Sequence, residues 1–129
     1  MLSSDGNEWQ NSEALGELSE VLAATGRFDE ARHCLDNAKI LTERYGYLTG
    51  LGVIEGQYGL LALQEGRLGE AEETLLRSLR VHERVGNRWR RAWTYDLLAR
   101  VQDAMNRTHE AAESRNRAAA LYAELAVRY

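Results

Sequence analysis

The chain has 129 residues, no proline, one cysteine and a formal charge of −4 at neutral pH. That length suits one domain with a real hydrophobic core, while the single Cys34 rules out an intramolecular disulfide. The acidic balance disfavours nucleic acid as a directly contacted partner, and no apolar run is long enough to suggest a membrane span.

Residues 1–6 read as a lead-in. Gly6-Asn7-Glu8-Trp9 matches Gly86-Asn87-Arg88-Trp89, as though the chain starts at the linker of an earlier unit, so a piece cut from a longer array is expected. Helix patterning then covers about 8–25, with Trp9, Leu15, Leu18 and Leu22 at helical spacing. Gly26 stops that helix, because a residue without Cβ takes a left-handed turn cheaply. A second helix is predicted over about 29–45, with Ala31, Leu35, Ala38, Leu41 and Tyr45 on one stripe. Further helices follow at about 47–65, 69–85, 88–105 and 109–128. The third is crowded with glycines, and Gly56 invites a reading as a flat strip where a bound chain could lie close.

One hexamer organises the pattern. Gly26-Arg27-Phe28-Asp29-Glu30-Ala31 recurs as Gly66-Arg67-Leu68-Gly69-Glu70-Ala71, and in weaker form as Asn106-Arg107-Thr108-His109-Glu110-Ala111. Recurrence at a 40-residue spacing marks a repeat array, with each hexamer the turn of a helical hairpin. Short connections force consecutive antiparallel pairs, and hairpins that cannot bury their apolar stripes alone must stack. The expected fold is all-α, a right-handed α-solenoid of three hairpins spanning 7–46, 47–86 and 87–129.

These residues resemble the tetratricopeptide repeat family in its longer variant. The first unit meets that pattern with Leu15, Leu18, Ser19, Leu22, Gly26, Ala31, Leu35 and Ala38. The second meets it with Tyr58, Gly59, Ala62, Gly66, Ala71, Leu75 and Ser78, but has Glu55 at an early bulky position. The third keeps Tyr95, Leu98, Ala99, Ala111 and Ala118 and departs at Asn106 and Arg115. The family's closing proline is absent throughout. The resemblance implies a non-catalytic scaffold that binds peptides or protein surfaces, as in arrays of bacterial signal-responsive transcription regulators. Its first helices would line a concave face showing Glu13, Gly16, Glu17 and Glu20, then Val53, Gly56, Gln57, Leu60 and Gln64, then Trp93, Asp96, Leu97, Arg100 and Asp103. Some members hold a partner's C-terminal carboxylate there with cationic residues. The matching positions Gly16, Glu20, Gln57, Trp93 and Leu97 carry no positive charge, so that activity is not expected here. The acidic end favours a basic partner segment instead.

A second class of function is self-association. The last helix carries Ala118, Leu121, Tyr122, Leu125 and Tyr129 along one side with no following helix to cover them. Residues 1–40 sum to −5, residues 41–80 to −2 and residues 81–129 to +3, a polarity that could also pair copies head to tail. The arginines at 77, 80, 84, 88, 90 and 91 read mainly as helix-end cations with glutamate partners. No catalytic or metal-binding constellation is present: His33, His82 and His109 are isolated from one another, and His33 and Cys34, being adjacent, diverge on a helix surface. No cofactor is expected. Arginine outnumbers lysine 15 to 1, a usage expected of a GC-rich bacterial genome, and the cytoplasm is the expected compartment.

Overall fold

The computed structural model describes the backbone of residues 5–128 and the side chains of residues 10–127. Six helices follow one another: α1 (Asp5–Ala24), α2 (Phe28–Arg44), α3 (Leu48–Gln64), α4 (Leu68–Val85), α5 (Arg88–Ala104) and α6 (Thr108–Arg128). Among the described residues there is no strand.

The five turns share one construction. Gly26, Gly46, Gly66, Gly86 and Asn106 all have positive φ, between 61° and 80°, at a spacing of twenty residues. At the first turn the Gly26 N–H donates to the Ala23 carbonyl (3.0 Å) and the Arg27 N–H to the Leu22 carbonyl (2.9 Å). At the last, Asn106 and Arg107 repeat the pattern onto Asp103 (3.0 Å) and Gln102 (2.8 Å). These paired bonds close each helix end and satisfy carbonyls that would otherwise be left over. Asn106 therefore keeps the turn that its departure from glycine put in question, since asparagine tolerates the left-handed region better than most residues.

Each helix packs on its neighbours in sequence, and in addition α1 touches α3 and α3 touches α5. Among the described residues the backbones of α2 and α4 stay apart, as do those of α4 and α6, and α2 reaches α4 only through long side chains such as Arg32, 3.6 Å from Glu70. The odd-numbered helices thus form an inner layer and the even-numbered ones an outer layer that splays apart. This is a stack of helical hairpins, a solenoid of the tetratricopeptide type. Two cores hold it together. One joins Leu22, Cys34, Leu35 and Ala38 to Ile54 and Leu61. The other joins Leu75 and Leu79 to Tyr95, Leu97, Leu98 and Val101, and continues to Ala118 and Leu121.

The central helix α3 has neighbours on several sides, so it is buried around most of its circumference and shows no single apolar stripe. Its glycines are seats for large side chains. A methyl group added at Gly59 would come within 2.6 Å of Leu75, and one at Gly56 within 2.9 Å of the Trp93 ring. Gly56 is therefore covered, not a flat floor open to a bound chain. Close packing offsets the roughly 1 kcal/mol that each glycine costs a helix relative to alanine. Glu55, the misfit in the family pattern, is 8% exposed and pairs with Arg77 at 3.2 Å and with Lys39 at 3.7 Å. The charged side chain bridges α3 to both flanking outer helices, where a bulky apolar residue would have filled the same space.

Residues 30 apart form a series between the inner and outer layers. Ser12 Oγ donates to the Ala38 carbonyl (3.2 Å) and lies 2.8 Å from Thr42 Oγ1. One unit on, Gly52 stands opposite a larger His82, where an added methyl would meet the imidazole at 2.8 Å. His82 has no exposed surface and neither ring nitrogen has a hydrogen-bond partner. Burial, and then the charge of Arg90, lower its pKa to about 4. The Gly52 carbonyl, which already accepts from Ser78 Oγ at 2.7 Å, pulls only weakly the other way.

Candidate functional site

The inner layer leaves a cleft where the N-terminal halves of α3 and α5 face the middle of α1. Its cavity has a volume of about 290 Å³. Glu13 and Glu17 of α1 form one wall, with Ser12 beneath them. Tyr47, Thr49, Gly50, Val53 and Ile54, from the start of α3, supply a floor that is largely apolar. Asn87 and Arg90, at the start of α5, close the far side. The Asn87 side chain caps α5 by accepting the Arg90 backbone N–H at 3.1 Å, which fixes where α5 begins. The Arg90 guanidinium lies 5.7 Å from the centre of the Trp93 ring.

Two glycines shape the interior. The Tyr47 ring lies directly over Gly50, in the space a Cβ would take, and the Gln57 amide lies in the same way over Gly16. Gln57 is 7% exposed, lines the cavity and donates Nε2 to Glu20 Oε1 at 3.4 Å. Its Oε1 has no partner. Glu13 and Glu17 are exposed and form no ion pair among the described residues, whereas Ser12 is already bonded. The cleft thus has two carboxylates on one side and Arg90 on the other, while the unpartnered Gln57 Oε1 is sealed against Gly16.

The family model for the tetratricopeptide repeat matches residues 50–124, more than half of the chain. The chain belongs to the tetratricopeptide repeat family. No curated protein matches it. The family is in general a scaffold for protein–protein interaction, and the matched stretch takes in all of α4 and α5 and most of α3 and α6.

Of the concave-face residues expected for such a repeat array, the cavity gathers Glu13, Glu17, Val53 and Gln57. Glu20 adjoins it through Gln57. Leu97 was expected on the surface and is instead 4% exposed in the core, because α5 is enclosed by α3, α4 and α6 and buries a wide arc. Gln57, likewise expected to be displayed, is buried against Gly16 of the preceding hairpin. Trp93 is half-buried and spends one face on Gly56, and Leu60 packs against the core. Gln64 and Arg100 are exposed but lie away from the cavity. Asp96 stands by Tyr122, whose phenol pKa is raised by burial and by that carboxylate. Asp103 is occupied by Arg115. The cavity residues missed from the sequence are Ser12, Tyr47, Thr49, Gly50, Ile54, Asn87 and Arg90. Tyr47 with Asn87, and Gly50 with Arg90, are 40 residues apart at the entry to successive inner helices, which is the signal that could have located them.

The face expected for self-association is mostly covered. Ala118 and Leu121 are 1% and 8% exposed and belong to the core beneath α6. Tyr122 stacks edge-on with Trp89 at 5.4 Å, Leu125 is half-buried, and Tyr129 lies outside the described residues. The stacking face of the last repeat has polar groups instead: Ser114 Oγ donates to Gln102 Oε1 at 2.7 Å, and Arg115 pairs with Asp103. The opposite end is the apolar one. Leu18 is 46% and Val21 62% exposed, where their equivalents one unit on are the half-buried Tyr58 and the buried Leu61. Among the described residues no three potential ligands are grouped for a metal ion, and no helix is long and apolar enough to cross a membrane.

Proposed function

We propose that the chain is a regulatory interaction module without catalytic activity that binds a basic segment of a partner protein along the α1–α3–α5 groove. One observation supports this most: the groove pairs unneutralised carboxylates at Glu13 and Glu17 with an apolar floor, a combination suited to an extended chain bearing cationic side chains. The arginine-rich usage suits a bacterial cytoplasmic signalling protein. Panning a displayed peptide library against the protein tests the reading. Enriched peptides should crosslink to α1 and α3, and Val53→Glu should abolish binding without unfolding the chain. Peptides that map to the outer helices, or no saturable binder at all, would sink it.

A second reading is self-association, moved from α6 to α1. The exposure of Leu18 and Val21 at positions that are half or fully buried in the second unit favours it. Light scattering across a concentration series should show mass rising above the monomer, and Leu18→Glu with Val21→Glu should return it to the monomer. A wild-type monomer at every concentration removes this reading.

A further inference from the structure

We infer that the N-terminal face of the stack is a docking surface for a cationic amphipathic helix of a partner protein. The inference stands apart from the groove reading and competes with self-association for the same face. Ala14, Leu18, Val21 and Thr25 form one exposed stripe along α1. Ile54, Tyr58, Leu61 and Glu65 hold the same register on α3, and Thr94, Leu98, Val101 and Met105 hold it on α5; all eight are half or fully buried. In both cases the cover is the preceding second helix. Ile54 and Leu61 share a core with Leu35 and Ala38 of α2, and Leu98 and Val101 share one with Leu75 and Leu79 of α4. The bare stripe on α1 is thus a surface that this molecule covers twice with a helix. Beside it lies a cavity of about 560 Å³, lined by Leu18, Leu22 and Cys34 together with Asp29 and the paired Arg27 and Glu30. A large apolar side chain of the docked helix fits there.

Charge selects which helix docks. Along its length α1 carries Asp5, Glu8, Glu13, Glu17 and Glu20 and no basic residue. The packing of α2 on α3 shows how cations serve such a contact. Arg32 lies 2.6 Å from Glu65 and 3.6 Å from Glu70, and Lys39 lies 3.7 Å from Glu55, beside the shared apolar core. Glu30 stands where Glu70 stands one unit later. A helix with an apolar stripe flanked by arginine or lysine therefore suits the face. A second copy does not: a twofold contact sets two acidic α1 helices side by side, and at the other end of a copy Arg115 is taken by Asp103.

The test titrates isotopically labelled protein with a helix-stabilised peptide as long as α2, 17 residues, bearing leucines at i, i+3 and i+7 and arginines beside them. A twin peptide has glutamate in place of each arginine. The arginine peptide should give saturable amide shifts at Leu18, Val21 and Cys34, with the twin at least about tenfold weaker. Leu18→Ser with Val21→Ser, both on exposed positions, should weaken the arginine peptide at least about tenfold and leave the spectrum beyond α1 unchanged. Asp29→Asn with Glu30→Gln should narrow the gap between the two peptides, since two carboxylates beside the cavity are lost. Equal binding of the twins, wild-type affinity in the serine variant or an unchanged gap in the amide variant would overturn the inference. Shifts confined to Val53 and its neighbours in the groove would overturn it too, yet leave the groove reading standing. A dimer of the free protein held through Leu18 and Val21 would give the face to a second copy and sink the partner helix.

Discussion

The two ends of the stack carry opposite chemistry on the faces that an adjoining unit would cover. At the level of Leu22, Ala23, Cys34 and Leu35, the first hairpin buries four apolar residues under α3, and the second keeps apolar character with Ala62, Leu63 and Leu75 beside Thr74. The third has Gln102, Asp103, Ser114 and Arg115, which satisfy one another. Those polar pairs let the C-terminal face meet water, as a stack of repeats requires at a terminus. The N-terminal face has no such substitution and leaves Leu18 and Val21 in solvent. A repeat array thus announces through its polar residues which end is closed, and the amphipathic pattern of single helices does not show it.

The largest effects should come from one register position at two levels. Leu75 is fully buried on Gly59, and Leu75→Ala should cost about 2–5 kcal/mol, read as a lower urea midpoint. Arg115 is its exposed counterpart at the C-terminal face, half of its side chain in solvent, so Arg115→Ala should cost under about 1 kcal/mol. Similar losses in the two variants would mean that the interior and the C-terminal face do not differ as described.

Next in size is the pH response of the buried His82. Its folded pKa of about 4 lies below the unfolded value of about 6.5, so on acidification the unfolded chain takes up the proton first. The stability that comes from keeping this ring neutral is full above about pH 6.5 and is lost as pH falls toward about 4, on the order of 3 kcal/mol in all. Denaturation midpoints at pH 7 and pH 5 measure it. His82→Leu should flatten most of the slope, and a slope that survives that change would assign it to other groups. At its equivalents in the end units stand Thr42 and Tyr122, neither of which titrates in this range, so the effect belongs to the middle of the stack.

Smaller effects follow at the surface. Gly16→Ala should raise stability by up to about 1 kcal/mol through helix propensity, since only the flexible end of Gln57 must move. A loss of stability would show that the amide cannot leave its seat. Leu18→Glu with Val21→Glu should change stability least, within about 0.5 kcal/mol, while removing any growth of mass with concentration. Removing Arg115 and Asp103 together in favour of leucines should do the opposite and make the C-terminal face adhesive, visible as association in the same light-scattering series.

Much of the fold was legible because it is local chemistry repeated. The hexamers placed three of the five turns, and Gly46 and Gly86 closed the helices between them. Helix ends fell within a few residues of those expected. The site was legible only in part. Positions 17, 57 and 97 share one register slot, yet Glu17 is exposed, Gln57 is buried with an unused acceptor and Leu97 is core. The slot faces the preceding hairpin, so its environment depends on what that hairpin presents, and a helical wheel of one helix cannot supply this. Likewise Trp93 reads as an anchor until Gly56, 37 residues earlier, is found beneath it.

By itself, then, the sequence determined the helices and the left-handed turns, because each follows from backbone sterics and from helical periodicity. Only the tertiary structure decided the rest: that His82 loses contact with water, that Glu55 is enclosed by two cations, and that Gln57 and two glutamates face Arg90 across a cavity. These groups lie on different helices, from 16 residues apart for Lys39 and Glu55 to 77 for Glu13 and Arg90, and their burial, charge and unused hydrogen bonds arise only when the helices stack.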